Sequence, residues 1–185
     1  MPIRLPVRPL LLLAAAALAA RAAAAQSAAP TAQTVTPPAP SASACAGPEH
    51  HRFDFWIGRW DVTLPDGSRA GVNRIEPILN GCVLRESWDG AGGGHGSSHN
   101  AYDAARGLWH QTWVDDHGAV LVLEGKFADG RMTLEGMNVD NAGHPQRQRI
   151  TWQETAPGRV RQLWETSKDG GATWTTSFDG RYVKR

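Results

Sequence analysis

The chain has 185 residues, 41% of them hydrophobic, with 19 Lys and Arg against 18 Asp and Glu and a formal net charge of +1. That length bounds it to one domain with a tail. A near-neutral balance, with no basic stripe interleaved with aromatics, excludes nucleic acid as an expected partner.

In chain order, the first element is an export segment. Arg4 and Arg8 form a basic opening, Leu10 to Ala20 is an apolar run, and Ala23-Ala24-Ala25 precedes Gln26 as an A-x-A cleavage site. The run is too short to span a bilayer comfortably. Residues 1–25 therefore read as a secretory signal peptide. The expectation is a secreted or periplasmic protein of bacterial export, with no stable membrane insertion after cleavage. Removing the segment takes away Arg4, Arg8 and Arg21 and no acid, so the balance turns negative. Residues 26–47 are rich in Ala, Pro, Ser and Thr, and Pro30, Pro37, Pro38 and Pro40 work against a helix. They read as a disordered tether, leaving 48–185 as the folded domain.

Cys45 and Cys82 are the two cysteines. In an exported chain an even pair reads as a disulfide, here tying the start of the domain to its third strand. Two separate buried thiols are the other reading. Lipid attachment at Cys45 is disfavoured, because Ala42-Ser43-Ala44 lacks a large aliphatic residue and lies far past the apolar run.

The stretch Phe53-Asp54-Phe55-Trp56-Ile57-Gly58-Arg59-Trp60-Asp61-Val62 organises the rest of the domain. Phe53, Phe55 and Trp56 would sit on a short helical turn, and Gly58 would let the backbone swing without a Cβ clash. Trp60, Val62 and Leu64 would then alternate onto one strand face. The expectation is a plug at the closed end of a barrel, formed by Phe53, Phe55, Trp56, Gly58 and Trp60. Beyond it no amphipathic helix of normal length occurs. Ten short aromatic and β-branched runs take its place: Trp60–Leu64, Gly71–Ile78, Val83–Trp88, Ser98–Tyr102, Leu108–Val114, Val120–Phe127, Met132–Val139, Gln148–Glu154, Val160–Thr166 and Trp174–Tyr182. Turn signals such as Asp66-Gly67, Asp89-Gly90, Asp129-Gly130 and Pro157-Gly158 separate them. Short links imply antiparallel neighbours, and closing the sheet removes its edges. The predicted fold is all-β, an antiparallel up-and-down barrel of about ten strands.

The eight tryptophans are many for such a domain. Several share a strand face with a polar residue: Glu86 with Trp88, Gln111 with Trp109 and Trp113, Gln162 with Trp164. A solid core would carry Val, Leu and Ile there. Trp beside Gln or Glu suits a partly wet lumen that grips something flat or amphipathic. The other reading is that the indoles fill the barrel and the amides tie strands together. The candidate ligand-binding set is Glu86, Trp88, Gln111, Trp113, Gln162 and Trp164, with a small molecule in the lumen as partner.

A Gly-x-Trp after a helical turn resembles the opening of lipocalin-like (calycin) barrels. In those, the Trp seals the floor beneath a basic residue of the last strand, for which Arg181, Lys184 and Arg185 are candidates. A wider set adds Gly81-Cys82 with Glu86 and Trp88, Trp109-x-Gln-x-Trp-x-Asp and Arg161-Gln162-x-Trp-Glu, with the Ser167–Trp174 hairpin. Together these are similar to a family of exported bacterial domains with a calycin-type barrel, over nearly all of 49–185. The resemblance implies a fold and a lumen, and no catalytic residues. Some relatives of the barrel hold haem through an axial His. His110 opposes the Trp109, Gln111 and Trp113 face, so no cofactor is expected.

Three local motifs are read as structural. Ser167 to Trp174 matches an Asp-box, whose Asp accepts turn amides while its Trp packs beneath. A single copy makes a turn, not a propeller enzyme. Gly92 to His99 lacks the Lys and helix of a phosphate loop and reads as a mobile loop at the barrel mouth. His95 and His99, or His50 and His51 beside Glu49, offer no third metal ligand, so no metal is expected. No nucleophile elbow or Cys-His pair is visible, and no catalytic residue is assigned. Glu86 is the one carboxylate whose inward position points to acid–base chemistry, through a pKa raised by desolvation. Its structural alternative is a Glu held by Gln111 or a tyrosine across the lumen. Three functions stay open: a ligand-binding barrel, a small-barrel enzyme using Glu86, and a structural cell-envelope protein.

Overall fold

A computed structural model describes residues 45–140 and 142–185. The export segment 1–25 and all but the last three residues of the 26–47 tether lie outside the described residues. Two 3-10 turns, Pro48–His51 and Asp54–Trp56, lead into ten strands. These are β1 Gly58–Thr63, β2 Arg69–Ile78, β3 Val83–Gly90, β4 His95–Asp103, β5 Leu108–Asp115, β6 Val120–Ala128, β7 Arg131–Val139, β8 Pro145–Ala156, β9 Arg159–Ser167 and β10 Thr175–Lys184.

Every strand pairs antiparallel with its sequence neighbour, and β1 pairs with β10, which closes the barrel. The closing seam is short, from Trp60 opposite Lys184 to Thr63 opposite Arg181. Tertiary contacts reinforce it. Arg185 donates its backbone amide to the Arg59 carbonyl, and its guanidinium meets Asp61 at 2.6 Å. All ten expected strands are present. The strand expected over Trp174–Tyr182 starts at Thr175, because Trp174 closes the preceding turn by donating its indole N–H to the Gly171 carbonyl. The loop expected over Gly92–His99 is shorter, since His95 already pairs with Asp89 in β3.

One end of the barrel is filled. Phe53, Trp56, Trp60, Trp109 and Trp152 are almost wholly buried there. Phe53 stacks on Trp56 at 4.9 Å and meets the edges of Trp109 and Trp152 at 5.6 and 5.2 Å. Phe55 adds a rim, 6.1 Å from Phe127. Gly58 has φ +148°, and a Cβ there would lie 2.7 Å from Lys184 Cε. The positive φ calls for glycine, and the space beside it is taken by the Lys184 side chain, whose Nζ sits 5.5 Å from the Trp60 ring centre. Of the three basic candidates, Lys184 is the one over that ring. Arg181 and Arg185 go to Asp179 and Asp61. Trp60 donates its indole N–H to the Trp56 carbonyl, locking plug to strand.

Cys45 and Cys82 form a disulfide at the same end, with Cα atoms 5.2 Å apart. It fastens the chain just before the plug to the β2–β3 turn. The Asp-box forms a turn, as its spacing predicts. Asp169 accepts from the Thr173 amide and hydroxyl and from the Ser167 hydroxyl. Those donors hold its carboxyl well below the usual carboxylate range.

Candidate functional site

The other end of the barrel is hollow. A cavity of about 220 Å³ opens between β3, β5, β6, β8, β9 and β10. Glu86, Trp88, Gln111, Trp113, Gln162 and Trp164 all line it, so the six residues chosen on strand parity meet in one place. Leu121, Ile150, Ser177, Phe178 and Tyr182 complete the lining.

The hollow exists because of glycines beside the aromatics. A Cβ at Gly96 would lie 2.1 Å from the Trp113 indole, and one at Gly71 would lie 2.9 Å from the Trp88 indole. A Cβ at Gly180 would lie 2.5 Å from the Phe178 ring. Each ring therefore lies flat on the barrel wall, over backbone that carries no side chain. The rings panel the lumen instead of filling it. Trp88 and Phe178 meet edge to face at 6.0 Å. Trp164 is held by donating its indole N–H to Gln148 Oε1 at 2.7 Å, while Gln148 donates to Asn138.

Beneath the aromatic panels lies a buried polar layer. Glu86 is the carboxylate at its centre. It accepts from Asn73 Nδ2 at 2.8 Å and from the Ser98 hydroxyl at 2.6 Å. The partners expected for it, Gln111 or a tyrosine, are engaged elsewhere. Gln111 donates to Asn100 Oδ1 at 2.8 Å, and the Tyr182 hydroxyl donates to Gln162 Oε1. The reason is reach: Ser98 stands directly opposite Glu86 in the β3–β4 register and so is nearest. Burial pushes the Glu86 pKa up, opposed by the Ser98 and Asn73 hydrogen bonds. Burial, and then the nearby Glu86 charge, push Tyr182 up as well. Among the described residues, no Lys or Arg lines the cavity. The arginines of the adjacent strands point outward, where Arg147, Arg149 and Arg161 pair with Glu135, Glu165 and Asp179.

Asn73, Ser98, Asn100, Phe178 and Tyr182 were not singled out from the sequence. Ser98 and Asn100 share a parity on β4, and Asn73 lies on the Gly71 and Ile75 face of β2. A polar residue between inward neighbours is the signal that could have found them. Elsewhere the histidines are peripheral. His110 contacts Glu124 and Thr112 on the outer face, at 3.1 and 2.8 Å. His95 and His99 lie four residues apart on an extended strand, roughly 13 Å, too far to share an ion. His51 pairs with Asp54, and His50 meets the Tyr102 ring. Among the described residues, Asp115, Asp116 and His117 bring three ligand-type atoms together, on an exposed turn. The lumen could hold a small molecule by aromatic contact and orient it by Glu86, Gln111 and Gln162. A closed ten-stranded antiparallel barrel with a plugged floor is consistent with the calycin-like fold. No protein-family model matches this chain, and no curated protein does.

Proposed function

We propose that this protein is an exported binding module of the calycin type that holds a small amphipathic molecule in its lumen. In this reading residues 1–25 direct export to the periplasm or beyond, and 26–47 tether the barrel. The disulfide supports an oxidising compartment. The observation that carries the reading is the hollow itself: three indoles and a phenyl ring around about 220 Å³, with Glu86, Gln111 and Gln162 also in its lining. At that volume the ligand falls below the drug-sized range of roughly 300–1,000 Å³.

Native mass spectrometry of the protein purified without denaturation tests this. A bound mass is expected in the wild type and absent from the Trp113→Ala, Trp164→Ala double variant. Equal spectra, with no quenching of tryptophan fluorescence by any small amphiphile, would remove the reading.

Envelope docking is a second reading that one observation favours. Val114, Val120, Val122, Met137 and Val139 are exposed on the outer face of β5, β6 and β7. Such a patch is apolar surface that no described residue covers. Charging it through Val122→Lys and Met137→Lys should leave lumen binding intact and abolish any co-sedimentation with envelope fractions. Glu86 chemistry is a third reading, favoured by its burial and raised pKa. It predicts turnover lost in Glu86→Gln with the fold retained.

A further inference from the structure

The hydrogen bonds at the base of the lumen converge on Glu86. Asn100 donates to the Leu84 backbone carbonyl at 3.1 Å. A carbonyl only accepts, so the orientation of that amide is fixed. Its oxygen must then accept from Gln111 Nε2 at 2.8 Å, and its nitrogen also donates to Ser98 Oγ at 2.8 Å. Ser98 therefore spends its own proton on Glu86 Oε2. From the other side, the Tyr182 hydroxyl donates to Gln162 Oε1. Its oxygen is left to accept from Asn73 Nδ2 at 3.3 Å, and the same nitrogen donates to Glu86 Oε1. One donor chain, from Gln111 on β5 through Asn100 and Ser98 on β4, ends on the Glu86 carboxylate; Asn73 on β2 donates to its other oxygen, while Tyr182 directs its own proton away, to Gln162 on β9.

Ser98 thus donates to one carboxylate oxygen and Asn73 to the other, the arrangement that suits an ionised Glu86. A charge there would be buried, and its donors, Asn73 and Ser98, are neutral. A buried carboxylate without a cation is disfavoured, and it either holds a proton or gains a countercharge. No Lys or Arg of the described residues lines the cavity to offset this. Above Glu86 stand the faces of Trp88, Trp113, Trp164 and Phe178, which attract cations and cannot pair with anions. An anion at the base and π faces around the wall favour the same sign of ligand.

We infer that the lumen binds a small organic monocation, an amine or quaternary ammonium, with its charged group held between Glu86 and the four aromatic rings. The cavity of about 220 Å³ limits the size. It suits a compact ammonium with a short substituent. The inference rests on the lumen being the binding site, and it names the ligand class.

The test is tryptophan-fluorescence titration of the intact protein with choline and with 3,3-dimethylbutan-1-ol, which has the same shape without the charge. The expected result is choline binding at least ten-fold tighter than the alcohol. In Glu86→Gln that preference should collapse, with circular dichroism unchanged. Trp113→Ala should weaken choline at least ten-fold as well. Alcohol binding equal to choline, or choline binding unaltered in Glu86→Gln, would overturn the cation assignment while leaving a lumen site in place. Binding of neither compound, together with no co-purified mass, would overturn both the assignment and the lumen reading. Choline is the probe, standing for any compact ammonium.

Discussion

The two ends of the barrel put the same residue type to opposite uses. At the floor, Trp56, Trp60, Trp109 and Trp152 are nearly free of solvent and pack against one another and Phe53. At the mouth, Trp88, Trp113 and Trp164 remain half-buried and border open space. Residue type does not separate them; the neighbour does. Floor indoles meet other rings, whereas Trp113 and Trp88 lie over Gly96 and Gly71. A large side chain becomes core where its neighbours fill the remaining volume. It becomes wall where a missing side chain lets it fold back.

That contrast makes the floor the stability-determining half. Trp152→Ala should cost about 3–5 kcal/mol, the range for emptying a large aromatic from a packed core. Trp113→Ala should cost about 1 kcal/mol while weakening choline binding at least ten-fold. Urea melts of both variants give the comparison. Equal losses would mean that the mouth is as tightly packed as the floor. The disulfide acts on the floor half alone. It closes a separation of 37 residues, so replacing Cys45 and Cys82 by Ser should cost about 4 kcal/mol through loop-closure entropy. Fluorescence titration of that double variant should still show a competent lumen below its melting midpoint.

A third substitution converts wall into core. In Gly96→Ala the new methyl would lie 2.1 Å from the Trp113 indole. The ring must swing into the lumen, at a cost of about 1–3 kcal/mol in displaced packing. Lost binding with only modest destabilisation is the expected pair of readings. Full binding would mean that Trp113 does not need the space above Gly96.

How far the sequence carries can be traced residue by residue. Strand order and parity were legible because Trp, Val, Gln and Glu alternate between marked turns, and parity alone brings Glu86, Gln111 and Gln162 to one surface. The plug was legible as a dense aromatic run before Gly58. Whether the indoles fill or panel the lumen was not legible. That depends on Gly71, Gly96 and Gly180 lying diagonally across from Trp88 and Trp113, or two residues along from Phe178. A diagonal is fixed only once register is known. The partners of Glu86 were hidden for the same reason. Ser98 faces it across a connection whose glycines give no hint of where pairing resumes.

The mildest perturbation concerns Glu86, and its sign depends on pH. The folded carboxyl has a pKa raised above the ordinary 4.5, because burial disfavours the charge. Between the unfolded value and the folded one, the native state keeps a proton that the unfolded chain has already released. Stability therefore falls as pH rises through that window and levels off above the folded pKa. The groups packed around the carboxyl are Asn73 on β2, Ser98 on β4 and, beyond them, Tyr182 on β10. Tyr182, the other titratable one, is itself pushed well above 10 and stays neutral throughout. Gln at position 86 has no proton to lose. Glu86→Gln should match the wild type near pH 4 and melt at a higher temperature by pH 8, the gap opening as pH rises. Saturating choline at pH 8 should close that gap by stabilising the wild type alone, since the cation supplies the countercharge that burial withholds. A wild-type profile parallel to the variant's would mean that Glu86 carries the same charge folded and unfolded, and that the base of the lumen places no demand on the sign of what enters it.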